Sequence, residues 1–111
     1  MDRSQLFKGV LDLAVLAVVY GGDSYGYDVV RQLRDAGLAD VGDASVYGTL
    51  QRLHLNGDLA AYYVPSDTGP ARKYYSLSPA GRTSLRDARA GWLGVVDAVD
   101  TLLGASKGAR S

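Results

Sequence analysis

The sequence predicts a mostly α-helical chain with a small β-hairpin, arranged as a winged helix-turn-helix followed by a long C-terminal helix. Apolar residues recur at helical spacing in three stretches before residue 57 and again after residue 79. Between these stretches, two segments rich in Tyr flank a run of turn residues, which is the pattern of a hairpin. A winged helix-turn-helix is indicated by the order of the elements: a tight helix pair, then a hairpin. The last helix is too long to pack wholly on the same core.

The composition restricts the possible functions. The 111 residues suffice for one core, and the formal net charge is zero, so nucleic-acid binding must depend on local charge. Because the chain lacks cysteine and His54 is its single histidine, we expect neither a metal site nor a cofactor. The sequence has no Ser-His-acid spacing, Walker loop or dinucleotide fingerprint, so an enzyme is not expected.

The most apolar run, residues 10–20, is interrupted only by Asp12. Eleven residues are too few for a membrane span, which needs about 20. The run leads directly into patterned sequence, unlike a signal peptide, so we expect a cytoplasmic protein without a membrane partner.

The first helix is predicted over residues 3–20. Its apolar residues form two adjacent stripes, so we expect burial on two sides, against the chain's own core and against a partner chain. Asp12 either points to solvent or is a polar group in a pocket. The stripes consist of Leu6, Val10, Leu13, Ala17 and Tyr20, and of Phe7, Leu11, Ala14 and Val18.

The second helix is predicted over residues 24–36, with Ser24 as its N-cap and Gly37 as its end. One apolar face is expected to contact the core. That face consists of Tyr27, Val30, Leu33 and Ala36.

Residues 43–57 are predicted to form a helix that is presented outward. Asp43 or Ser45 can cap its start, and Gly57 can close its end in the left-handed conformation. The inner face holds Val46, Leu50 and Leu53, and the outer face holds Ser45, Tyr47, Thr49, Arg52 and Asn56. Such hydrogen-bonding groups with little excess charge suit DNA bases and phosphates. Taken alone, the pattern fits an ordinary amphipathic helix with a solvated outer side equally well. The short helix that precedes it, as in a helix-turn-helix, favours DNA binding.

The hairpin is predicted from strands at 59–64 and 72–77, joined by a loop of moderate length at 65–70. Arg72 and Lys73 are placed where the wing leaves its tip. We expect them to contact phosphates or the minor groove; a solvated pair at a strand edge is the alternative.

The C-terminal helix is predicted to start at Pro79 with Ser78 as its cap. Its apolar residues follow coiled-coil spacing, and such a seam indicates a two-fold dimer. The seam consists of Leu85, Ala88, Trp92, Val95, Val99 and Leu102. We therefore expect a DNA-binding domain at 1–78, a dimerisation helix at 79–104 and a flexible tail at 105–111.

Several stretches, in order and with their spacing, resemble the PadR family of transcriptional regulators. They are FKGVLDLAVL (7–16), SYGYD (24–28), SVYGTLQRL (45–53), the strand start at Leu59 and DTGPARKYYSLSPAGR (67–82). The single C-terminal helix is similar to the small subgroup of that family. The resemblance implies a homodimeric repressor on a pseudo-palindromic operator of double-stranded DNA.

The resemblance also implies that helix 43–57 reads the major groove while the wing, 65–73, reaches the flanking minor groove. Tyr47 and Arg52 hold the positions of the family's Tyr and Arg/Lys in that helix, and Tyr25 could contact the DNA backbone. Tyr47 could instead be partly buried, with only its hydroxyl free. Gly48, where Pro is frequent in relatives, lowers helix propensity by about 1 kcal/mol against Ala. The helix is therefore expected to order fully only on DNA.

Trp92 is either an interface anchor or a platform for a ligand. Its position is similar to the Trp that stacks flat aromatic compounds in small multidrug-responsive members of the family, and Gly91 and Gly94 leave room beside it. The facing residues would be Leu6, Gly9, Asp12 and Leu13. Such an apolar slot with one carboxylate suits a planar, hydrophobic or cationic effector.

A winged-helix module that binds proteins and has no sequence-specific DNA binding is the alternative class. The zero net charge is the best argument for it.

Overall fold

The structure, a computed structural model, describes residues 6–7 and 9–104, so the predicted tail lies outside the described residues. The described helices are α1 (Leu11–Gly21), α2 (Gly26–Asp35), α3 (Asp43–Leu55) and α4 (Pro79–Leu103), and the strands are β1 (Ser24–Tyr25), β2 (Leu59–Ser66) and β3 (Gly69–Leu77). The strands form one antiparallel sheet in the order β1-β3-β2. The predicted winged helix with a long C-terminal helix is confirmed. Among the described helices, none has the length and apolar character needed to cross a membrane.

The first helix starts later than predicted. Gly9 and Val10 form a turn in which Val10 N–H donates to Phe7 O at 3.0 Å, and α1 begins at Leu11. The prediction of one helix over 3–20 is therefore wrong, and residues 3–5 lie outside the described part. Glycine weakens a helix by about 1 kcal/mol against Ala, which favours the break. One face of α1 enters the core, whereas Leu6 and Tyr20 remain exposed.

Ser24 does not cap the second helix. It pairs with Tyr75 as part of β1, and its Oγ donates to the carbonyl oxygen of Gly22 at 2.9 Å. The N-cap of α2 is Tyr25, without a side-chain hydrogen bond. The predicted apolar face is also partly wrong, since Tyr27 is exposed and Val29 is buried instead.

Helices α2 and α3 end in the same way. Gly37 and Gly57 have positive φ angles of 105° and 85°. The left-handed conformation was predicted for Gly57, and the helix end was predicted at Gly37. After α3, Gly57 N–H donates to His54 O at 3.0 Å and Asp58 N–H donates to Leu53 O at 2.9 Å. This pair of bonds is a Schellman motif, which satisfies carbonyls at the helix end and turns the chain sharply towards β2.

The start of α3 differs from the prediction. Gly42 is the N-cap, with no side-chain hydrogen bond, and the Asp43 carboxylate instead pairs with Arg34 at 2.5 Å. Helix α3 also runs unbroken through Gly48, and its full ordering only on DNA stays a prediction. Buried inner side chains, which include Val46 and Leu50 at 0% exposure, offset the weak helix propensity of glycine.

The loop of the hairpin is shorter than predicted. Ser66 pairs with Gly69, so only Asp67 and Thr68 connect the strands. The register is irregular between Val64 and Ser66, around Pro65, which has no N–H to donate.

The junction between α3, β2 and α4 is closely packed. Ser78 caps α4 as predicted: its Oγ accepts from Gly81 N–H at 3.0 Å and donates to Gly57 O at 2.6 Å. Ser84 Oγ donates to the Asp58 carboxylate at 2.8 Å. Gly81 is the one buried residue of α4. The base of α4 is thus held against the end of α3.

Candidate nucleic-acid interface

The outer face of α3 is open to solvent. Ser45, near the helix start, is exposed, as are Tyr47 at 44% and the Arg52 side chain at 51%. Gln51, which was not among the predicted contact residues, is also exposed on this face, one turn after Tyr47. Its amide can both donate to and accept from an adenine edge. The sequence did contain a signal for this contact: Gln51 follows Tyr47 by four residues, and residues four apart lie on the same side of a helix.

Thr49 does not lie on the outer face. It is only 6% exposed, and it follows Val46 by three residues and precedes Leu53 by four. At 100° per residue those spacings place it within the buried arc of the helix. The prediction that the Thr49 hydroxyl is presented to DNA phosphates is therefore wrong.

The ring of Tyr47 lies against Gly26, the first residue of α2. A Cβ atom at position 26 would overlap the Cε1 atom of the Tyr47 ring. Glycine at this position therefore lets the ring settle between α2 and α3 while part of it stays in solvent. This placement agrees with the alternative in which Tyr47 is partly buried.

Arg52 is paired with Asp12, which lies 40 residues earlier in the chain on α1. Arg52 Nη1 donates to Asp12 Oδ2 at 3.0 Å, and Nη2 donates to Oδ1 at 2.5 Å. These hydrogen bonds, together with the negative charge of Asp12, raise the pKa of Arg52 above its ordinary value. The Asp12 carboxylate therefore binds a side chain of α3. The prediction that it supplies a carboxylate to the slot beside Trp92 is wrong.

The basic pair of the wing lies within the ladder and not where the wing leaves its tip. Arg72 pairs with Val64 and Lys73 pairs with Tyr63, and as neighbours on one strand they point to opposite faces of the sheet. The Arg72 guanidinium lies 4.8 Å from the ring centre of Tyr25. Lys73 Nζ lies 5.4 Å from the ring of Tyr75 on the other face, so the two cations cannot act as one patch.

An aromatic ladder supports the outer face of the sheet. The rings of Tyr25 and Tyr74 are 5.5 Å apart, and those of Tyr74 and Tyr62 are 5.8 Å apart and stacked. Tyr62 Oη donates to Asp23 at 2.6 Å, and this hydrogen bond raises the pKa of Tyr62. Arg72 therefore extends from a rigid aromatic surface, which limits the rotamer entropy it would lose on binding.

A groove beside Trp92 contains most of the predicted ligand-binding residues, and we call it the Trp92 groove. It has a volume of about 490 Å³. Its lining consists of Leu6, Gly9, Val10, Leu13, Ala88, Gly91, Trp92 and Val95. A Cβ atom at Gly91 would meet nothing within 4 Å, so the space expected beside the indole is present. Asp12 is not among these residues, and the described part of the lining is apolar.

The predicted dimer seam divides into two parts. Leu85 and Ala88 are partly buried, Leu85 against the chain's own core. The later residues are exposed: Trp92 at 40%, Val95 at 58%, Val99 at 46% and Leu102 at 85%. Two more exposed leucines, Leu93 and Leu103, were not included in the seam. The second half of α4 therefore presents an apolar surface on more than one side.

In the described part of the chain, no three carboxylate or imidazole side chains cluster closely enough to hold a metal ion. The interface thus consists of hydrogen-bonding, cationic and aromatic groups.

Comparison with known proteins connects this geometry to a family. The model of the transcriptional regulator PadR-like family matches residues 15–87, which include α3 and the hairpin. A PadR-like transcriptional regulator from Bacillus cereus is 30% identical, with a TM-score of 0.79 over 89% of this chain and 96% of that chain. A PadR family regulator from Eggerthella lenta is 31% identical, with a TM-score of 0.81 over 89% and 86%. A protein of Lysinibacillus sphaericus is 29% identical over 105 residues, 93% of this chain and 96% of that protein.

Proposed function

The chain belongs to the PadR-like family of transcriptional regulators, whose members bind DNA, and from that premise we propose that it is a homodimeric repressor. Its target is a pseudo-palindromic operator. The observation that carries the proposal is the polar outer face of α3, exposed beside the wing. Residues 1–78 form the DNA-binding domain, and residues 79–104 form the dimerisation helix. The family regulates transcription, which agrees with the expectation that the chain is not an enzyme.

The DNA contacts divide between major groove and backbone. Ser45, at the start of α3, and Arg52 contact bases or phosphates. Gln51 hydrogen-bonds to base edges. The Tyr47 hydroxyl donates to a phosphate, since its ring is fixed against α2.

The wing contributes one cation from each face of the sheet. Arg72, with Tyr25 beneath it, reaches the phosphate or the minor groove, and Lys73 contacts the backbone from the opposite face. Because the chain has no net charge, these few cations carry the electrostatic part of the affinity.

A salt series distinguishes DNA binding from the protein-binding alternative. Each phosphate neutralised on duplex DNA contributes about 0.9 to the log–log salt slope, so Arg52, Arg72 and Lys73 in two protomers give a slope of about −5.4. Mobility-shift titrations on the DNA around the chain's own gene should yield this slope. A shuffled fragment of the same length is the matched control. Equal binding of both fragments, or none, would favour the protein-binding module.

A second proposal is that a planar aromatic effector binds in the Trp92 groove at the dimer interface and releases the DNA. The observation that favours it is the apolar groove with open space beside the indole. Since Asp12 is tied to Arg52, the described residues that line the groove offer no carboxylate to select cations. Shape and stacking therefore determine which ligands fit.

Titration with planar dyes tests the effector site. We expect quenching of Trp92 emission. We expect Trp92→Ala to weaken dye binding by roughly tenfold, since stacking adds about 0.5–1.5 kcal/mol beyond buried area. Because Trp92 is the single Trp, the dye's own fluorescence measures binding to this variant. Leu55→Ala is the control because Leu55 is exposed on α3, outside the groove lining and the predicted dimer seam. If no dye of a varied panel quenches the emission, Trp92 is an interface anchor only.

A further inference from the structure

A second groove lies between the end of α1 and the first half of α4, and we call it the arginine groove. Three exposed arginines, Arg82, Arg86 and Arg89, line it. Its volume is about 700 Å³, which is in the range of small-molecule sites. None of the three arginines forms an ion pair with a described residue. Because a guanidinium group stays protonated at physiological pH, the groove presents a row of positive charges that the chain itself does not neutralise.

The arginines follow one another along α4. Arg86 lies four residues after Arg82, and Arg89 lies three residues after Arg86. At 1.5 Å and 100° per residue, the three positions span about 10 Å along the helix and lie within about 60° of one another around its axis. A carboxylate binds one guanidinium group through paired hydrogen bonds, and it would leave the other two unused. The row therefore fits a ligand with two or three linked phosphates.

The row of cations ends at Leu93. On the same side of α4, Asp97 and Asp100 lie about 6 and 10 Å beyond that residue. Neither aspartate lines the groove. A long polyanion laid along α4, such as a DNA backbone, would be repelled by these carboxylates, whereas a short chain of phosphates ends before it reaches them. The charge pattern therefore favours a small molecule over a nucleic acid.

Tyr20, near the end of α1, gives the groove an aromatic surface. Its side chain is 64% exposed, and it is the one aromatic residue of the described lining. Leu85 and Leu93 add apolar surface beside it. An exposed tyrosine ring next to cations suits the planar base of a nucleotide, because stacking on an aromatic ring is favourable for every base. A ligand made of phosphates alone would leave this surface in water.

The arginine groove is separate from the predicted dimer seam. Relative to Trp92, the three arginines lie about 60–120° around the helix axis in one direction. The later seam residues, from Val95 to Leu102, lie up to about 80° in the other direction. The groove therefore stays outside the seam of the homodimer proposed above.

We propose that the arginine groove binds a nucleoside di- or triphosphate, with the phosphates on Arg82, Arg86 and Arg89 and the base stacked on Tyr20. The bound nucleotide connects α1 to α4. The site is independent of the DNA-binding face, because none of the residues that line it belongs to α3 or to the wing. It is also distinct from the Trp92 groove, whose described lining is apolar and carries no cation to hold phosphates.

Calorimetric titration of the full chain with ATP tests the proposal. The titration is carried out without divalent cations at about 0.1 M salt, where the Debye length is about 10 Å. We expect ATP to bind with a Kd below about 1 mM. Arg86→Gln combined with Arg89→Gln should weaken ATP binding at least about tenfold, because charge-assisted hydrogen bonds to the phosphates are lost. Glutamine is a good helix former, and circular dichroism checks that α4 is retained.

The matched control for lost charge is Arg31→Gln combined with Arg34→Gln. Both arginines lie on α2, outside the groove, and are paired with aspartates. This variant loses the same charge, and its affinity for ATP should be nearly unchanged. An equal loss of affinity in the two double variants would assign ATP binding to net charge and overturn the inference.

Tyr20→Leu tests the contact with the base. It should weaken ATP binding at least about fivefold but leave the binding of inorganic tripolyphosphate unchanged, because only ATP has a base to stack. Tyr27→Leu, at an exposed tyrosine of α2, is the control. If Tyr20→Leu did not affect ATP, the ligand would be a phosphate chain and the nucleotide assignment would be wrong.

A Kd for ATP weaker than about 1 mM would show that the three arginines form an ordinary solvated surface, and the inference would fail. That result would leave the proposed operator binding untouched, because mobility shifts measure it separately and on other residues.

Discussion

Replacing Gly81 with Ala is expected to lower the free energy of unfolding by about 1–3 kcal/mol, the usual range for overpacking. Gly81 is buried in the first turn of α4, and a Cβ atom there would overlap the carbonyl oxygen of Asp58. It would also lie 2.8 Å from Leu77 Cδ1. The Asp58 carbonyl cannot easily withdraw, because it accepts from Ser78 N–H at 3.2 Å. Urea unfolding followed by circular dichroism measures the change.

Gly94→Ala is the matched control in the same helix. A Cβ atom at Gly94 would meet nothing within 4 Å. Alanine should therefore raise the stability by up to about 1 kcal/mol through helix propensity alone. We therefore expect Gly81→Ala to lower the free energy of unfolding and Gly94→Ala to raise it. If Gly81→Ala were as stabilising as Gly94→Ala, the close packing of α4 on Asp58 would be disproved.

Arg52→Ala is expected to weaken operator binding by about 10- to 100-fold, since a hydrogen bond to a charged group contributes about 1.5–3 kcal/mol. Asp12→Asn should act in the opposite direction. It removes the carboxylate that competes with a phosphate for Arg52 while keeping a side chain of similar shape. An exposed ion pair is worth about 0.2–1 kcal/mol, so the gain in affinity is up to about fivefold per half-site. Mobility-shift titrations at fixed salt measure both.

The double variant separates a direct effect of Asp12 from an effect through Arg52. In an Arg52→Ala background, Asp12→Asn should leave operator affinity unchanged, because no guanidinium remains to be released. Arg31→Ala is a charge-matched control on α2, where Arg31 pairs with Asp28 and Asp35. If Arg31→Ala lowered operator affinity as much as Arg52→Ala does, net charge alone, and not the position of Arg52 on α3, would determine binding.

Local patterns in the sequence were sufficient to predict most of the fold. The helix ends at Gly37 and Gly57, the Ser78 cap and the inner face of α3 all depend on residues within a few positions of one another. Strand β1 could not be predicted in this way. A strand of two residues exists only because Ser24 and Tyr25 find partners on β3, about 50 residues later.

The site was less predictable for the same reason. The spacing of charged residues could not indicate that Asp12 holds Arg52, because the two lie on different helices and meet only in the folded chain. Thr49 was placed outward because it is polar, although its helical position is an inner one. Four of the five residues predicted around Trp92 line the Trp92 groove, since the chain before and at the start of α1 and the middle of α4 are both apolar there. Ligand binding in the groove stays a prediction.

The length and anchorage of α4 have a mechanical consequence. Its 25 residues form a rod of about 37 Å, and its base is held at the Gly81 and Ser78 junction near the end of α3. Such a rod acts as a lever arm: a tilt of about 10° at the base moves its far end by roughly 6 Å. Two half-sites one helical turn apart on DNA are separated by about 34 Å. A rotation of α4 too small to disturb either core would therefore move the two copies of α3 out of register with successive major grooves.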